Sequence, residues 1–367
     1  MSSGPSHEYW MNECIRIAQK GIGRVSPNPA VGAFLVREGR VLSSGFHRRF
    51  GEPHAEINCL SAWSGDTRGA TLYVNLEPCT HFGKTPPCVD AILHSGIRKV
   101  VVGMIDPDPR VSGKGVRKLQ REGVSVVTGI CERECRELNR SFVKNVTSGL
   151  PYVHLKVALS IDGKLGGWKK QLTSPMAGKL VHRWRATHDA ILVGSGTVME
   201  DDPRLDVRLV RGRDPHVVIV DGQFRVPLKS RVFSGAAGRR ILVCTTTAAM
   251  RRNPDKVHRL QDRGVEILDF DAKKRRIPIR EICRTLLKNN IGTILVEAGA
   301  DISAGFLSEG MIDKLSMFIA PVALGGDLKV FRFKDTKAGA LRVRARNPQE
   351  VSAQRIGPDL LVSYLYH

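Results

Sequence analysis

Three metal-binding residue types sit in two short stretches, and a chain that gathers them has few ways to fold. "EPHAEIN" (Glu52 to Asn58) carries His54 and Glu56 with one residue between them, and "LEPCTHFGKTPPC" (Leu76 to Cys88) carries Cys79 and Cys88 among prolines. Histidine nitrogen and cysteine thiolate are standard zinc ligands, and a catalytic zinc keeps a fourth position open for water. His54, Cys79 and Cys88 make such a three-ligand set. Glu56 falls in the first turn after His54, close enough to exchange a proton with that water without binding the metal. Pro86 and Pro87 suit the opening of a helix at Cys88, and the free N–H groups there favour a thiolate. Taken singly, a His-x-Glu says little and the two cysteines read as buried thiols. In the order H-A-E then P-C…P-P-C, at a strand–loop–helix junction, they predict a metal site.

The surroundings supply that junction. "AVGAFLV" (Ala30 to Val36), "TLYVNL" (Thr71 to Leu76), "RKVVVGM" (Arg98 to Met104) and "VSVVTG" read as strands, with helical patterns at "YWMNECIRIAQKGIG", "AEINCLSAW", "CVDAILHSG" and "GKGVRKLQREG". Strands alternating with helices predict an α/β layered sheet. Turn chemistry at Ser148-Gly149-Leu150-Pro151 breaks the pattern, and a new strand is expected from Tyr152. Beyond it "DAILVG", "HVVIVDG", "RILVCT", "VEILDF" and "TILVEAG" are strands, with helices such as "SPMAGKLVHRWRATH" between them. At 367 residues two domains are the starting expectation, placed here at 1–149 and 150–367.

Composition narrows the classes. No apolar run approaches the roughly 20 residues that span a bilayer, and "MSSGPSHEYW" lacks a signal-peptide pattern. No membrane association and a cytoplasmic location are therefore expected, with the eight cysteines reduced. Cys131 and Cys135 sit on one face of an expected helix and read as packed thiols rather than a second zinc site; Cys14, Cys59, Cys244 and Cys283 read as core. Net charge is +21, made of +6 in residues 1–150 and +15 in 151–367. Such a balance fits a solvated basic surface, phosphorylated ligands or nucleic acid. With aromatics at 6% and none interleaved in "AKKRRIPIR", nucleic acid is the least supported of the three.

A nucleobase deaminase signature runs H-x-E…P-C-x-x-C. Here eight residues, not two, separate the cysteines. This longer P-C-[ST]-H-x-G-x-T-P-P-C loop, with "SPNPAVGAFLV" and "GFHRRFGEPHAE", resembles the deaminase domain of the bifunctional riboflavin-biosynthesis deaminase/reductase family. The resemblance implies a cytidine-deaminase-like three-layer domain. It also implies that Asn28 contacts the pyrimidine and that His47, His81 and Lys84 face the ribose phosphate.

In the second half, "GSGTVM" lacks the third glycine of a dinucleotide fingerprint. A second glycine-rich turn follows "TILVE", at "AGADISAGFL", and small residues there let backbone N–H groups approach a phosphate. The words "LKVALSIDGK", "TSPMAGKLVHRWRATHDAILVGSGTVMEDDPRLDVR" and "ILVEAGADISAGFL" resemble the reductase domain of the same family. That implies a dihydrofolate-reductase-like fold using NADPH. Ala158, Gln171, Thr197, Asp201, Gly299, Ala300, Asp301, Ile302, Ser303, Ala304 and Gly305 would lie along the cofactor. Arg185, Leu205, Arg208 and Glu297 would face the substrate, and Lys156 and Asp201 would assist hydride delivery or form a structural ion pair. One departure stands out in "DGKLGGWKKQLTS": Gln171 replaces the family's aromatic, and Trp168 sits three residues earlier.

The resemblance spans essentially the whole chain. It implies zinc-dependent hydrolytic deamination of a small phosphorylated pyrimidine, then NADPH-dependent reduction of its ribosyl group. The rivals are a deaminase with a degenerate, non-catalytic second half, for which Gln171 argues, and an RNA deaminase, for which the charge argues. Monomer and homo-oligomer both stay open.

Overall fold

The computed structural model describes residues 5–82, 86–165, 172–235, 238–271, 277–325, 331 and 348–366. It divides into two compact units, Met1–Leu150 and Pro151–His367.

The first unit runs α1 (His7–Ala18), β1 (Gly32–Arg37), β2 (Arg40–Phe46), α2 (Ala55–Ser61), β3 (Thr71–Leu76), α3 (Cys88–His94), β4 (Lys99–Met104), α4 (Lys114–Arg121), β5 (Ser125–Thr128), α5 (Glu132–Leu138) and α6 (Arg140–Ser148). Ser6 caps α1 by accepting from the Tyr9 N–H at 3.3 Å, a contact worth about 1 kcal/mol. The apolar stripe of α1, Trp10, Met11 and Cys14, packs on Phe34 and Tyr73 of the sheet. Strand order is β2-β1-β3-β4-β5, with β3, β4 and β5 parallel. Nearly every residue of β3 and β4 is buried, which requires helices on both faces. This is the three-layer arrangement expected of a cytidine-deaminase-like domain.

Two details differ from the sequence expectation. Strand β2 went unpredicted because its exposed and half-buried residues give no apolar run. Cys131 is not on the face of a helix with Cys135: it is the left-handed residue (φ 53°) that precedes α5, whereas Cys135 is buried within it.

The second unit runs β6 (Tyr152–Ser160), α7 (Pro175–Thr187), β7 (Ala190–Gly194), α8 (Ser195–Asp201), β8 (His216–Val220), β9 (Ile241–Thr246), α9 (Thr247–Arg251), α10 (Pro254–Gln261), β10 (Val265–Phe270), α11 (Ile279–Lys288), β11 (Thr293–Val296), α12 (Ala300–Ser308), β12 (Lys314–Ala320), β13 (Glu350–Ile356) and β14 (Asp359–Leu365). Its strands order as β10-β9-β8-β7-β11-β6-β12-β14-β13. Pairing is parallel from β10 through β12, and β14 and β13 add antiparallel at one edge. Cys14, Cys59, Cys244 and Cys283 are all fully buried. Among the described residues no helix is long and apolar enough to cross a membrane.

Each unit has its own sheet and its own apolar clusters. Residues 1–150 expressed alone should therefore melt cooperatively with zinc present, followed by circular dichroism. A fragment without ordered secondary structure under those conditions contradicts this autonomy.

Candidate functional site

In the first unit the carboxyl ends of β3 and β4 lie side by side, Leu76 opposite Met104, and the chain leaving β3 reaches Cys79 within three residues. His54 stands just before α2 and Cys88 opens α3, so all three residues arrive at element ends. Their ligand atoms lie within 4.8 Å of one another. His54 Nδ1 is 3.3 Å from Cys88 Sγ and 3.6 Å from Cys79 Sγ. Ligands roughly 2.0–2.3 Å from one tetrahedral ion stand at about such separations. The donor set fits zinc. It is the one such grouping among the described residues.

Electrostatics in the cluster favour metal. The hydrogen bond from Cys88 and then that from His54 push the Cys79 thiol down, and the Cys88 N–H adds a bond at 3.4 Å. The same contact pushes Cys88 up; a divalent ion reverses that by taking both sulfurs as thiolates. Glu56, 4% exposed, lies against this group. Burial, followed by the charge of Cys79, pushes its carboxyl up to about 7. A bound cation opposes that rise.

Above the cluster is a cavity of about 280 Å³ lined by Asn28, His47, His81, Asp106, Asp108 and Arg110 among others. The Asn28 amide donates to His47 Nε2 at 3.3 Å, which leaves Nδ1–H to donate to the Pro53 carbonyl at 3.2 Å. Burial lowers the His47 pKa, in keeping with this neutral tautomer. The loop bearing Asn28 is fixed from below: Asn75 and Asn139, both buried, bond the Ala30 and Gly32 backbone at 2.7 to 3.1 Å. Asp106 and Asp108 were not foreseen. Burial pushes the Asp106 carboxyl up to about 6, and Asp108 is gripped by Arg110. Two acids in "IDPDPR", directly after a buried strand, were the available signal.

In the second unit β7 and β11 are parallel neighbours, so the two glycine-rich turns leave adjacent strand ends. They meet. A Cβ on Gly194 would stand 3.1 Å from the Ile302 side chain, and one on Gly299 would stand 4.0 Å from Thr197 Oγ1. Gly299 precedes α12, whose first residues are Ala300, Asp301, Ile302 and Ser303, with Ala304 and Gly305 buried further in. A Cβ on Gly196 would meet open space, so the backbone is open to a ligand. This cradle fits a dinucleotide phosphate. Ala158 lies on β6, two residues beyond Lys156.

Next to the cradle Arg185 donates twice to Glu297, at 2.8 and 2.9 Å. Burial alone would raise the Glu297 carboxyl, but Arg185 and then Lys156 hold it below the usual range. Lys156 Nζ is 4.0 Å from Glu297, not paired with Asp201, which is exposed at the end of α8. Burial lowers the Lys156 pKa against the pull of Glu297. Arg185 also bonds the Asp206 carbonyl, and buried His182 accepts from the Arg208 N–H at 3.0 Å, fixing the segment from buried Leu205 to Arg208. His182 and Arg225, whose guanidinium reaches Ser195 Oγ at 3.4 Å, carried no sequence signal. Lys84, Trp168 and Gln171 lie outside the described residues.

Comparison with known proteins agrees with both halves. The model of the cytidine and deoxycytidylate deaminase zinc-binding region matches residues 5–104, and that of the RibD C-terminal domain matches residues 151–362. The riboflavin biosynthesis protein RibD of Aquifex aeolicus is 38% identical over 97% of each chain. The chain belongs to the RibD family. RibD of Escherichia coli is 35% identical over 88% of this chain and 89% of its own. Among solved structures, Acinetobacter baumannii RibD superposes with a TM-score of 0.85 at 34% identity, covering 98% of each chain. A Thermotoga maritima diaminohydroxyphosphoribosylaminopyrimidine deaminase/5-amino-6-(5-phosphoribosylamino)uracil reductase gives 0.83 at 36% identity, covering 98% of this chain and 99% of its own. RibD proteins are bifunctional deaminase/reductases of riboflavin biosynthesis. This chain carries the zinc-binding deaminase domain and the RibD C-terminal, dihydrofolate-reductase-like domain, which implies a nicotinamide cofactor.

Cys88→Ala should strip the purified chain of most of its zinc, since two protein ligands hold a catalytic ion poorly. Elemental analysis after gel filtration reads this, and full occupancy in the variant would place the metal elsewhere.

Proposed function

We propose that the first unit hydrolytically deaminates 2,5-diamino-6-ribosylamino-4(3H)-pyrimidinone 5′-phosphate. The second then reduces the ribosyl group of 5-amino-6-(5-phosphoribosylamino)uracil to ribityl with NADPH. The observation that carries this reading is the convergence of His54, Cys79 and Cys88 beside buried Glu56 at the floor of a cavity.

Zinc held by His54, Cys79 and Cys88 supplies the Lewis acidity that makes water nucleophilic near neutral pH. Glu56 takes the proton that the attacking water loses, on its carboxylate oxygen, and returns it to the departing ammonia. Asn28, oriented by His47, presents its amide to the pyrimidine. His47, His81 and Lys84 serve the phosphate, which prefers charge-assisted donors.

In the second unit a bound nicotinamide cofactor would supply the hydride for reduction of the ribosyl carbon. Thr197 and residues 299–305 would hold its phosphates, with Ala158 alongside; the family resemblance gives Gln171 a part in the same binding. Lys156 is the group that can deliver the proton needed by the ring oxygen as the sugar opens, with Glu297 holding its ammonium. Asp201, exposed on α8, serves the cofactor side. Arg185, Leu205, Arg208 and Glu297 form the substrate wall. The Arg225 guanidinium, which reaches Ser195 Oγ in the first glycine-rich turn, adds positive charge beside that turn and supports NADPH, the more highly phosphorylated cofactor, over NADH.

Glu56→Gln keeps the shape of the side chain and removes its proton-accepting oxygen. Deamination should fall roughly 10²–10⁴-fold, with zinc content and reduction of the deaminated substrate unchanged. Assay of both steps on one preparation reads this; retained deamination assigns the proton to another group. The catalytic efficiency of reduction should be at least about tenfold higher with NADPH than with NADH, a difference of about 1.4 kcal/mol. Equal efficiencies would remove the cofactor preference and leave the reductase reading standing.

A further inference from the structure

Glu77 precedes Pro78 and Cys79, and it is 3% exposed. Its carboxylate accepts four backbone N–H groups. Asp106 and Gly113 donate to Oε2 at 3.1 and 2.9 Å, and Gly115 and Val116 donate to Oε1 at 2.8 and 3.2 Å. Its own N–H donates to the Met104 carbonyl at 3.0 Å. The amides of Gly115 and Val116 belong to the first turn of α4, where intrahelical partners are lacking. Bonds from N–H groups to an ionised carboxylate are among the stronger ones.

The two segments also fit without a side chain between them. A Cβ on Gly115 would collide with the Pro78 carbonyl, and Gly113 adopts φ +71°, a conformation that favours glycine. Capping α4 needs one acceptor near its first turn. Here one of the two oxygens, Oε2, also takes the N–H of Asp106, a wall of the cavity. Asp106 in turn accepts from the Asp108 N–H at 2.8 Å, so the grip on the Asp106 backbone extends to the next acid of that wall.

We propose that Glu77 is a positioning residue that sets the Cys79 ligand and the Asp106–Asp108 wall as one unit, so that metal geometry and substrate fit are adjusted together. This rests on reading the cavity as the deaminase site. Glutamine is not a conservative replacement here. Its amide keeps one acceptor oxygen and turns an NH₂ against two N–H donors, so one pair of bonds breaks whichever way it faces.

Glu77→Gln in the full-length, zinc-loaded chain tests this through zinc release to a chelator, deaminase kcat and KM, and amide exchange at Gly113, Gly115 and Val116. Zinc release should be about tenfold faster, as for other residues that orient ligands from behind. KM should rise roughly fivefold with a smaller fall in kcat, since a misplaced wall weakens positioning. Exchange should quicken at these amides, and reduction should stay within about twofold of wild type, because its residues belong to the second unit. Zinc release and KM at wild-type values overturn the proposal, as does faster zinc release with unchanged KM, which would confine Glu77 to the cysteine loop. If the glutamine variant does not fold, seen as loss of reduction and of cooperative melting, Glu77→Asp, too short to reach both pairs, is read by the same criteria. A wild-type chain that neither binds zinc nor deaminates refutes the deaminase reading instead. Amide exchange in the variant then decides alone whether the carboxylate joins the two segments.

Discussion

Parallel pairing puts the carboxyl ends of neighbouring strands side by side, and both halves of this chain place their candidate chemistry along such an edge. In the first unit β3 delivers Glu77 and Cys79 while its neighbour β4 delivers Asp106. In the second, β7 delivers the turn at Gly194 to Thr197 and β11 delivers Glu297 and Gly299. The strands are almost wholly buried and mainly apolar, so their ends are rigidly placed. Loops that leave them start from fixed points, and side chains distant in sequence meet without long tethers.

Three glutamates with little or no exposed surface show how the same side chain is given different work by its partners. Glu77 is surrounded by four backbone N–H donors, two on each carboxylate oxygen. Glu297 is held ionised by two cations, Arg185 and Lys156. Glu56 makes no ion pair with a lysine or arginine among the described residues, and burial, then the charge of Cys79, push its carboxyl up to about 7 against the pull of His54. A carboxylate that must both accept and release a proton needs this weaker compensation. The contrast, more than burial itself, separates the expected proton carrier from the structural acids.

Much of the architecture was legible because buried parallel strands are written as continuous apolar runs. "TLYVNL" coincides with β3 to the residue, and "DAILVG" and "HVVIVDG" enclose the buried runs of β7 and β8. Mixed or polar strands were not legible: β2 alternates irregularly, and six of the seven residues of β13 are exposed. The convergence of His54, Cys79 and Cys88 could be read because few other uses explain those residue types in that order. Glu77, His182 and Arg225 could not, because each acts through backbone or side-chain partners far away in sequence. The ion pair weighed for Lys156 and Asp201 was unreadable for a like reason: strand register, set by distant residues, brings Lys156 to Glu297 instead.

The central claim is that one ion sits between one imidazole and two thiolates with room for a small ligand. X-ray absorption at the zinc edge of the purified chain measures this directly. The account predicts two sulfur neighbours at roughly 2.3 Å, one nitrogen at about 2.0 Å and one further light atom. A shell of four sulfurs, or one with nitrogen and oxygen only, would contradict it.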